Sequence, residues 1–183
     1  MIRTKQDLKE FLAAEKPLYL PTKLDVLSGF FLRSRGYMIW KYVENLRKSE
    51  YHLASKGLYH DICYAFLHRK WHILGRKLGL EVPPFTCEKG LLIYHCGRVA
   101  VNADTRIGEN CVIAGSTCVG NTGPNTPSPK LGKNVYLGWN TVLVGGIEIA
   151  DNVKVGAGAV VIESVTTPGA FVAGVPATIK GMV

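Results

Sequence analysis

The chain lacks any long apolar run: no stretch of eighteen consecutive apolar residues occurs among its 183 residues. A membrane-spanning helix needs about 20 predominantly apolar residues, so the sequence predicts none. The opening residues, M-I-R-T-K-Q-D-L-K-E, are charged and amphipathic and do not resemble a secretory signal. We therefore expect a cytoplasmic protein.

Cysteine is also sparse, with five residues and no C-x-x-C pair. The odd number and the absence of an export signal predict reduced thiols packed as small hydrophobic side chains, not disulfides. The spacing of histidine and cysteine matches no zinc pattern, and only one histidine, His95, lies beyond residue 72. Because zinc enzymes use three or more protein ligands, we expect no metal site.

Acidic residues are too few in the first half of the chain to balance its basic residues. Residues 1–90 carry 16 Lys and Arg against 9 Asp and Glu, a net charge of +7, whereas residues 91–183 carry 6 against 5. The excess is typical either of a solvated helical face or of a surface for an anionic substrate or the inner membrane leaflet, with at most peripheral membrane contact. No nucleic-acid-binding motif accompanies the charge, so a nucleic-acid partner is not expected.

Apolar residues of the first half recur at helical spacing. Thr4 and Asp7 form a capping-box pattern before a first helix, which Pro17 and Pro21 are expected to break. A second helix is expected over residues 36–55, with an apolar face made of Ile39, Val43, Leu46 and Leu53. A third is expected over residues 58–78, ending at Gly79, with a core-facing stripe of Leu58, Ile62, Ala65, Phe66 and Ile73.

The second half follows a period of six. An aliphatic residue stands at positions 101, 107, 113 and 119 and, after an interruption, at 131, 137, 143, 149, 155 and 161, usually followed by a small residue. A six-residue period fits neither an amphipathic helix nor an ordinary strand, and it indicates a solenoid of short strands. The aliphatic residue fills the interior, and small residues allow tight corners.

The hexads, together with G-L-E-V-P-P, G-L-L-I-Y-H and G-V-P-A-T-I-K-G, resemble the left-handed β-helix acyltransferase superfamily. Within it, residues 74–183 resemble the serine O-acetyltransferase-related branch, which includes O-acetyltransferases of surface polysaccharides. The resemblance implies an α+β fold: a helical N-terminal domain over 1–80, then a left-handed parallel β-helix over 81–183 with a protruding loop at 120–130. It also implies an acetyl-CoA-dependent O-acetyltransferase that assembles as a homotrimer, with active sites between neighbouring β-helices; whether trimers pair stays open.

His95 falls on the catalytic histidine of the G-L-x-I-x-H motif, which implies a general base for the acceptor hydroxyl. Counting back one period from Val101 places His95 in an inward aliphatic slot, where a purely structural histidine is the alternative. Members of the family orient this histidine with an acidic residue some fifteen positions earlier. Glu81, fourteen positions earlier, is the candidate for this orienting role. The alternative is that Glu81 is a surface residue with no such role.

The resemblance also implies an acetyl-CoA site. Gly120 and Asn121 open the loop, where a backbone N–H is expected to stabilise the developing oxyanion. Lys180, the lysine of the closing motif G-V-P-A-T-I-K-G, is expected to meet the 3′-phosphate of coenzyme A. The pantetheine arm is expected to lie along a row of small residues beside an aromatic wall. The small residues are Gly138, Gly145, Gly156 and Ala157, and the wall is Trp139. Turn geometry explains the small residues equally well.

The acceptor site departs from the pattern of true serine acetyltransferases. Those enzymes carry an aspartate directly before the histidine, where this chain has Tyr94, and an Arg-His pair where it has Pro127 and Ser128. We therefore expect a sugar or polysaccharide-precursor hydroxyl as the acceptor, held by Tyr94, Asn102 and Asn125. The alternatives are serine O-acetylation and a non-catalytic β-helix that serves as an assembly module.

Overall fold

Four helices and then fourteen short strands follow each other along the chain in a computed structural model, which describes residues 1–183. The chain divides into two compact units, Met1–Leu80 and Glu81–Val183. The helices are α1 (Lys5–Tyr19), α2 (Lys23–Leu32), α3 (Arg35–Ala54) and α4 (Leu58–Leu78). No helix is long and apolar enough to cross a membrane.

The strands are two to six residues long, as expected of a solenoid built from short units. In chain order they are β1 (Leu80–Glu81), β2 (Leu92–Ile93), β3 (Val99–Val101), β4 (Arg106–Ile107), β5 (Val112–Ile113), β6 (Cys118–Gly120), β7 (Lys130–Leu131), β8 (Tyr136–Leu137), β9 (Val142–Val144), β10 (Glu148–Ile149), β11 (Lys154–Val155), β12 (Val160–Val161), β13 (Ala170–Gly174) and β14 (Ala177–Met182).

The beginning of α1 confirms the capping-box prediction: Asp7 N–H donates to Thr4 Oγ1, and the Thr4 N–H donates to the Asp7 carboxylate. The prediction for Pro17 is wrong, because this residue lies inside the last turn and the helix continues to Tyr19. Helix α2 was not predicted, although Thr22 and Asp25 repeat the same capping box.

The core of the helical unit lies along α3. Ile39, Val43 and Leu46 are buried as predicted, whereas Leu53 is exposed. The prediction that the apolar stripe of α4 faces the core is wrong: three of its large side chains are more than half exposed, namely Leu58, Ile62 and Phe66. The buried residues of α4 are instead Trp71, which stacks on Tyr42, and Gly75.

An ion cluster is buried within this unit. The Arg47 guanidinium is fully buried and donates to the carboxylates of Glu15 on α1 and Glu50 one turn further along α3. The shortest of these distances, from Nη2 to Glu15 Oε1, is 2.7 Å. A buried guanidinium needs such partners because charges in the protein interior lose their hydration.

The strands of the second unit stack into three sheets, one for each side of a left-handed parallel β-helix, as predicted. The sheet orders are β1-β3-β6-β9-β12, β10-β7-β4 and β14-β13-β11-β8-β5-β2. All pairings between coils are parallel, and only the terminal pair, β13 with β14, is antiparallel. Every aliphatic position of the hexads from Val101 to Val161 is buried, with at most 6% exposed.

Partner residues on the regular coils are eighteen positions apart. The spacing differs in the first coil, where Ile93 pairs with Ile113, in the last, where Val155 pairs with Val172, and across one loop. Lys130 pairs with Glu148, eighteen residues on, but Arg106 pairs with Lys130, twenty-four residues on. The six additional residues form the protruding loop between β6 and β7. The strands before and after the loop pair in register, so the excursion leaves the stacking of the coils intact.

One corner of the β-helix is built from asparagines in the left-handed conformation. Asn110, Asn134 and Asn152 have φ values of 58°, 57° and 62°. Asn134 Nδ2 donates to Asn152 Oδ1 on the next coil at 2.9 Å. Asparagine tolerates this backbone conformation better than other residues with a Cβ, which explains its recurrence at the corner.

Candidate active site

The first coil carries His95 outside the β-helix and not inside it. Ile93 pairs with Ile113 and fills the inward position, where it is 1% exposed. The prediction that His95 occupies an inward aliphatic slot is therefore wrong. Eight residue steps, not six, separate Ile93 from Val101, and a turn at Gly97 takes up the difference, with φ of 154°.

His95 lines a cleft with a volume of about 390 Å³ on the six-stranded side of the β-helix. Six residues selected from the sequence meet there: Tyr94, His95, Gly138, Trp139, Gly156 and Ala157. The other residues that line the cleft are Ala114, Tyr136, Lys154, Val155 and Phe171. The cleft thus combines a histidine with aromatic walls and one cation.

The surroundings of the imidazole are aromatic. The centroids of the His95 and Trp139 rings lie 5.2 Å apart in an edge-to-face arrangement, with 63° between the planes. The Tyr94 ring lies 6.4 Å away. No hydrogen bond to His95 is formed within the chain, and none joins it to Glu81, whose side chain is exposed on β1.

Asn102, selected as an acceptor ligand, holds the base of the loop. Its Oδ1 accepts from Ser128 Oγ at 3.0 Å, and its Nδ2 donates to Asn121 Oδ1 at 3.3 Å. Asn121 in turn donates to the carbonyl of Thr126. This network ties both ends of the loop together, and Ser128 is buried within it.

The remaining selected residues lie away from the lining of the cleft. Asn125 is at the exposed tip of the loop, with φ of 59°, and Lys180 is exposed on β14. Gly120 ends β6, and its carbonyl accepts from the Gly145 N–H at 2.9 Å. Within a single chain, therefore, His95 and the loop do not share one cavity.

The glycines of the cleft have a packing explanation. A Cβ on Gly138 would stand 2.6 Å from the backbone nitrogen of Ala157, and one on Gly156 would stand 3.0 Å from the Cβ of Ala173. Neighbouring coils approach too closely there for a side chain. Gly145 has open space around it but a φ of 95°, which favours glycine.

Five residues of the cleft lining were not predicted from the sequence, and the hexad period contains the signal that finds three of them. Tyr136, Lys154 and Phe171 each stand one position before an inward aliphatic residue, on strands paired in register. They therefore form one outward column on the side of the β-helix that carries His95. Lys154 is exposed and forms no ion pair. No group of three or more His, Cys, Asp and Glu side chains that could hold a metal ion is present.

Comparison with known proteins points to one family. A serine acetyltransferase of Helicobacter pylori is 30% identical over 135 residues, which cover 66% of this chain and 79% of the relative. A serine acetyltransferase of Salmonella typhimurium is 26% identical over 195 residues, covering 98% of this chain and 68% of the relative. No protein-family model matches the chain.

Solved structures agree on the fold. The soybean serine acetyltransferase apoenzyme aligns with 96% of this chain and 69% of its own, with a TM-score of 0.71 and 23% identity. A Brucella abortus serine acetyltransferase in complex with coenzyme A aligns with 98% of this chain and 70% of its own, with a TM-score of 0.71 and 20% identity. With the helical unit, the β-helix and the histidine cleft in place, the chain belongs to the serine acetyltransferase family and is an acetyl-CoA-dependent O-acetyltransferase.

Proposed function

We propose that the acceptor is L-serine and that His95 is the general base. Membership of the serine acetyltransferase family carries the choice of acceptor, in preference to the sugar hydroxyl expected from the sequence. The cleft supports the role of the histidine, because the imidazole is half-buried, faces the cavity and is not occupied by a hydrogen bond within the chain.

In the proposed reaction, His95 carries one proton from the serine hydroxyl to the sulfur of coenzyme A. His95 takes the proton of the serine hydroxyl while the oxygen attacks the thioester carbonyl of acetyl-CoA. The tetrahedral intermediate then collapses, the C–S bond breaks, and the imidazolium returns the proton to the sulfur of coenzyme A. Backbone N–H groups at Gly120 or Asn121 are proposed to stabilise the oxyanion, and Lys180 is proposed to meet the 3′-phosphate.

A homotrimer is proposed to complete the site. The loop and the cleft of one chain are separate, so the loop of a neighbour is the proposed cover for the cleft, bringing Asn125 to the acceptor. A trimeric ring is a closed symmetric assembly that suits a flat-sided prism. Sedimentation equilibrium should give three times the chain mass of 20.0 kDa, or a multiple of that value if trimers pair.

Lys154 is proposed to meet the carboxylate of serine, because it is the only cation among the residues that line the cleft. Lys154→Met should raise the KM for serine by about tenfold, the equivalent of one lost charge-assisted hydrogen bond. Lys133→Met is the matched control, since Lys133 is exposed and lies outside the cleft. An unchanged KM for serine in Lys154→Met would remove Lys154 from the acceptor site.

A neutral sugar hydroxyl remains the second candidate acceptor, and one observation favours it. The lining of the cleft contains no carboxylate that could meet the ammonium group of serine, and Tyr94 stands there, half-exposed, at the position of the aspartate of the family. A tyrosine ring can stack on a sugar and donate a hydrogen bond from its hydroxyl.

Release of the coenzyme A thiol decides between these acceptors. Wild-type protein should consume acetyl-CoA faster with L-serine than with simple sugars or nucleotide sugars. His95→Ala should lower kcat by about 10²- to 10⁴-fold, the usual contribution of a general base. His72→Ala is the matched control, because His72 is an exposed histidine of the helical unit.

Three results would contradict the proposal. Transfer to a sugar in preference to serine would show that serine is not the acceptor. Equal rates for His95→Ala and wild type would show that His95 is not the general base. Absence of thiol release with every acceptor, together with no effect of His95→Ala, would instead favour the non-catalytic assembly module.

Glu81 is proposed to orient His95. A carboxylate that accepts from the second ring nitrogen fixes the tautomer and stabilises the imidazolium. Glu81→Gln should then lower kcat by about tenfold or more while the KM values stay the same. Glu163→Gln, another exposed glutamate, serves as the control. Equal kcat values for Glu81→Gln and wild type would leave Glu81 as a surface residue.

A further inference from the structure

In this structure no hydrogen bond within the chain, from Glu81 or from any other residue, orients the ring of His95. A catalytic imidazole must present one nitrogen to the acceptor, so its ring needs a fixed orientation. Its closest aromatic neighbour is Trp139, at 5.2 Å between ring centroids. The contact is edge-to-face, the arrangement preferred between aromatic rings because of their quadrupoles.

The register of the coils explains how Trp139 reaches the histidine. Ile93, Ile113 and Leu137 pair in succession on β2, β5 and β8. The residues two positions further on are His95, Gly115 and Trp139, so Gly115 stands on the coil between the other two.

Gly115 leaves the space that the indole occupies. A Cβ on Gly115 would collide with the six-membered ring of Trp139, and the three atoms nearest to that Cβ all belong to this ring. The φ of Gly115 lies outside the region that excludes other residues, so backbone strain does not explain the glycine. Its absent side chain is explained by the indole that lies over it.

We propose that Trp139, lying over Gly115, is the positioning residue that fixes the orientation of the His95 ring in the transfer reaction. The proposal rests on the proposed function for the role of His95. Trp139 touches the base and acts through it, so it differs from a wall that only binds the pantetheine arm. Trp139 is 44% exposed, so truncation of its side chain should have little effect on folding.

The kinetic test uses two substitutions of Trp139. Trp139→Ala should lower kcat by about 10- to 100-fold, because displacement of a catalytic group by about 1 Å costs up to 10²-fold. The KM for acetyl-CoA should stay within about twofold of wild type. Trp139→Phe keeps an aromatic ring above Gly115 and should recover most of kcat.

A double-mutant cycle tests the pairing with Gly115. Gly115→Ala should lower kcat in the wild-type background, because the new methyl group displaces the indole. In the Trp139→Ala background the same substitution should have no further effect, because nothing remains to be displaced. If Gly115→Ala does not fold, the two Trp139 variants still test whether Trp139 orients His95.

A spectroscopic measurement tests the contact without activity. The ring current of the indole shifts the imidazole proton resonances of His95, which His95→Ala identifies among the five histidines. Trp139→Ala should move these resonances toward the values of an exposed histidine, and Trp139→Phe should move them less. This readout stands even if no acceptor is found, so a failure of the proposed function is distinguishable.

Two outcomes overturn the inference. Unchanged kcat and unchanged His95 resonances in Trp139→Ala would show that the indole does not hold the ring. A raised KM for acetyl-CoA with unchanged kcat would make Trp139 a cofactor wall only.

Discussion

The two units of the chain stabilise their folds in opposite ways. The helical unit depends on contacts that occur once, such as the buried Arg47 with its two carboxylates and the Trp71–Tyr42 stack. The β-helix repeats one contact on every coil, with an aliphatic residue inside and a tight corner outside. Damage should therefore spread through the helical unit and stay local in the β-helix, as in other solenoids.

Removal of the buried guanidinium is the sharpest test of this contrast. Arg47→Met leaves the carboxylates of Glu15 and Glu50 in the core without their cation, which should cost about 3–5 kcal/mol in free energy of unfolding. Urea unfolding followed by the helical circular dichroism signal measures this change in free energy. Lys48→Met is the control: its ion pair with Glu44 is partly exposed and should contribute at most about 1 kcal/mol. Equal effects of the two substitutions would contradict the contrast.

A cavity in the β-helix should have the next largest effect. Leu143 is fully buried on β9, and Leu143→Ala should cost about 2–5 kcal/mol in free energy of unfolding. The loss should be confined to adjacent coils, which amide hydrogen exchange resolves residue by residue. The exposed Leu58→Ala is the control and should change stability little. Uniformly faster exchange over all coils would show that the β-helix is as cooperative as a globular core.

The asparagine corner predicts a smaller loss. Asn134→Ala places a residue with a Cβ in the left-handed region and removes the hydrogen bond to Asn152, which should cost about 1–2 kcal/mol. Asn134→Gly relieves the backbone strain and should cost less. Thermal unfolding of the two variants measures the difference. A more stable Ala variant than Gly variant would contradict the conformational explanation.

Acidification should weaken the helical unit slightly. Partial burial and the neighbouring His60 lower the pKa of His52 from 6.5, and partial burial and His72 lower that of His68. The unfolded chain then binds protons more readily, so stability present above about pH 6.5 is lost as the pH falls below that value. Urea unfolding followed by the helical signal at pH 7.5 and 5.5 measures it, and His52→Gln should reduce the dependence.

The contrast between repeated and single contacts also explains which features of the structure could be predicted from the sequence. In the β-helix, a fixed period identifies one buried aliphatic residue in each hexad from Val101 to Val161, because each coil repeats the environment of the previous one. The extrapolation fails for His95, since two additional residues near Gly97 break the period just before the first regular coil. Periodicity also cannot tell which residues share a cleft until strands are paired, which is why Lys154 was missed.

In the helical unit, local sequence signals predicted where helices begin and end, but the sequence did not predict which faces pack in the core. Capping residues predicted the start of α1, and Gly79 the end of α4. A helical stripe shows only that one face is apolar, not which neighbour covers it, so the exposed side chains of α4 could not be foreseen. Pro17 was misjudged because a proline in the last turn interrupts few helical hydrogen bonds.

The loop between β6 and β7 has a consequence for how such enzymes diversify. Its six additional residues enter and leave at a corner, while the strands on either side keep their register. The β-helix therefore constrains only the two ends of this segment, which Asn102, Asn121 and Ser128 hold together. Evolution can exchange the exposed middle of the loop without rebuilding the scaffold that carries His95.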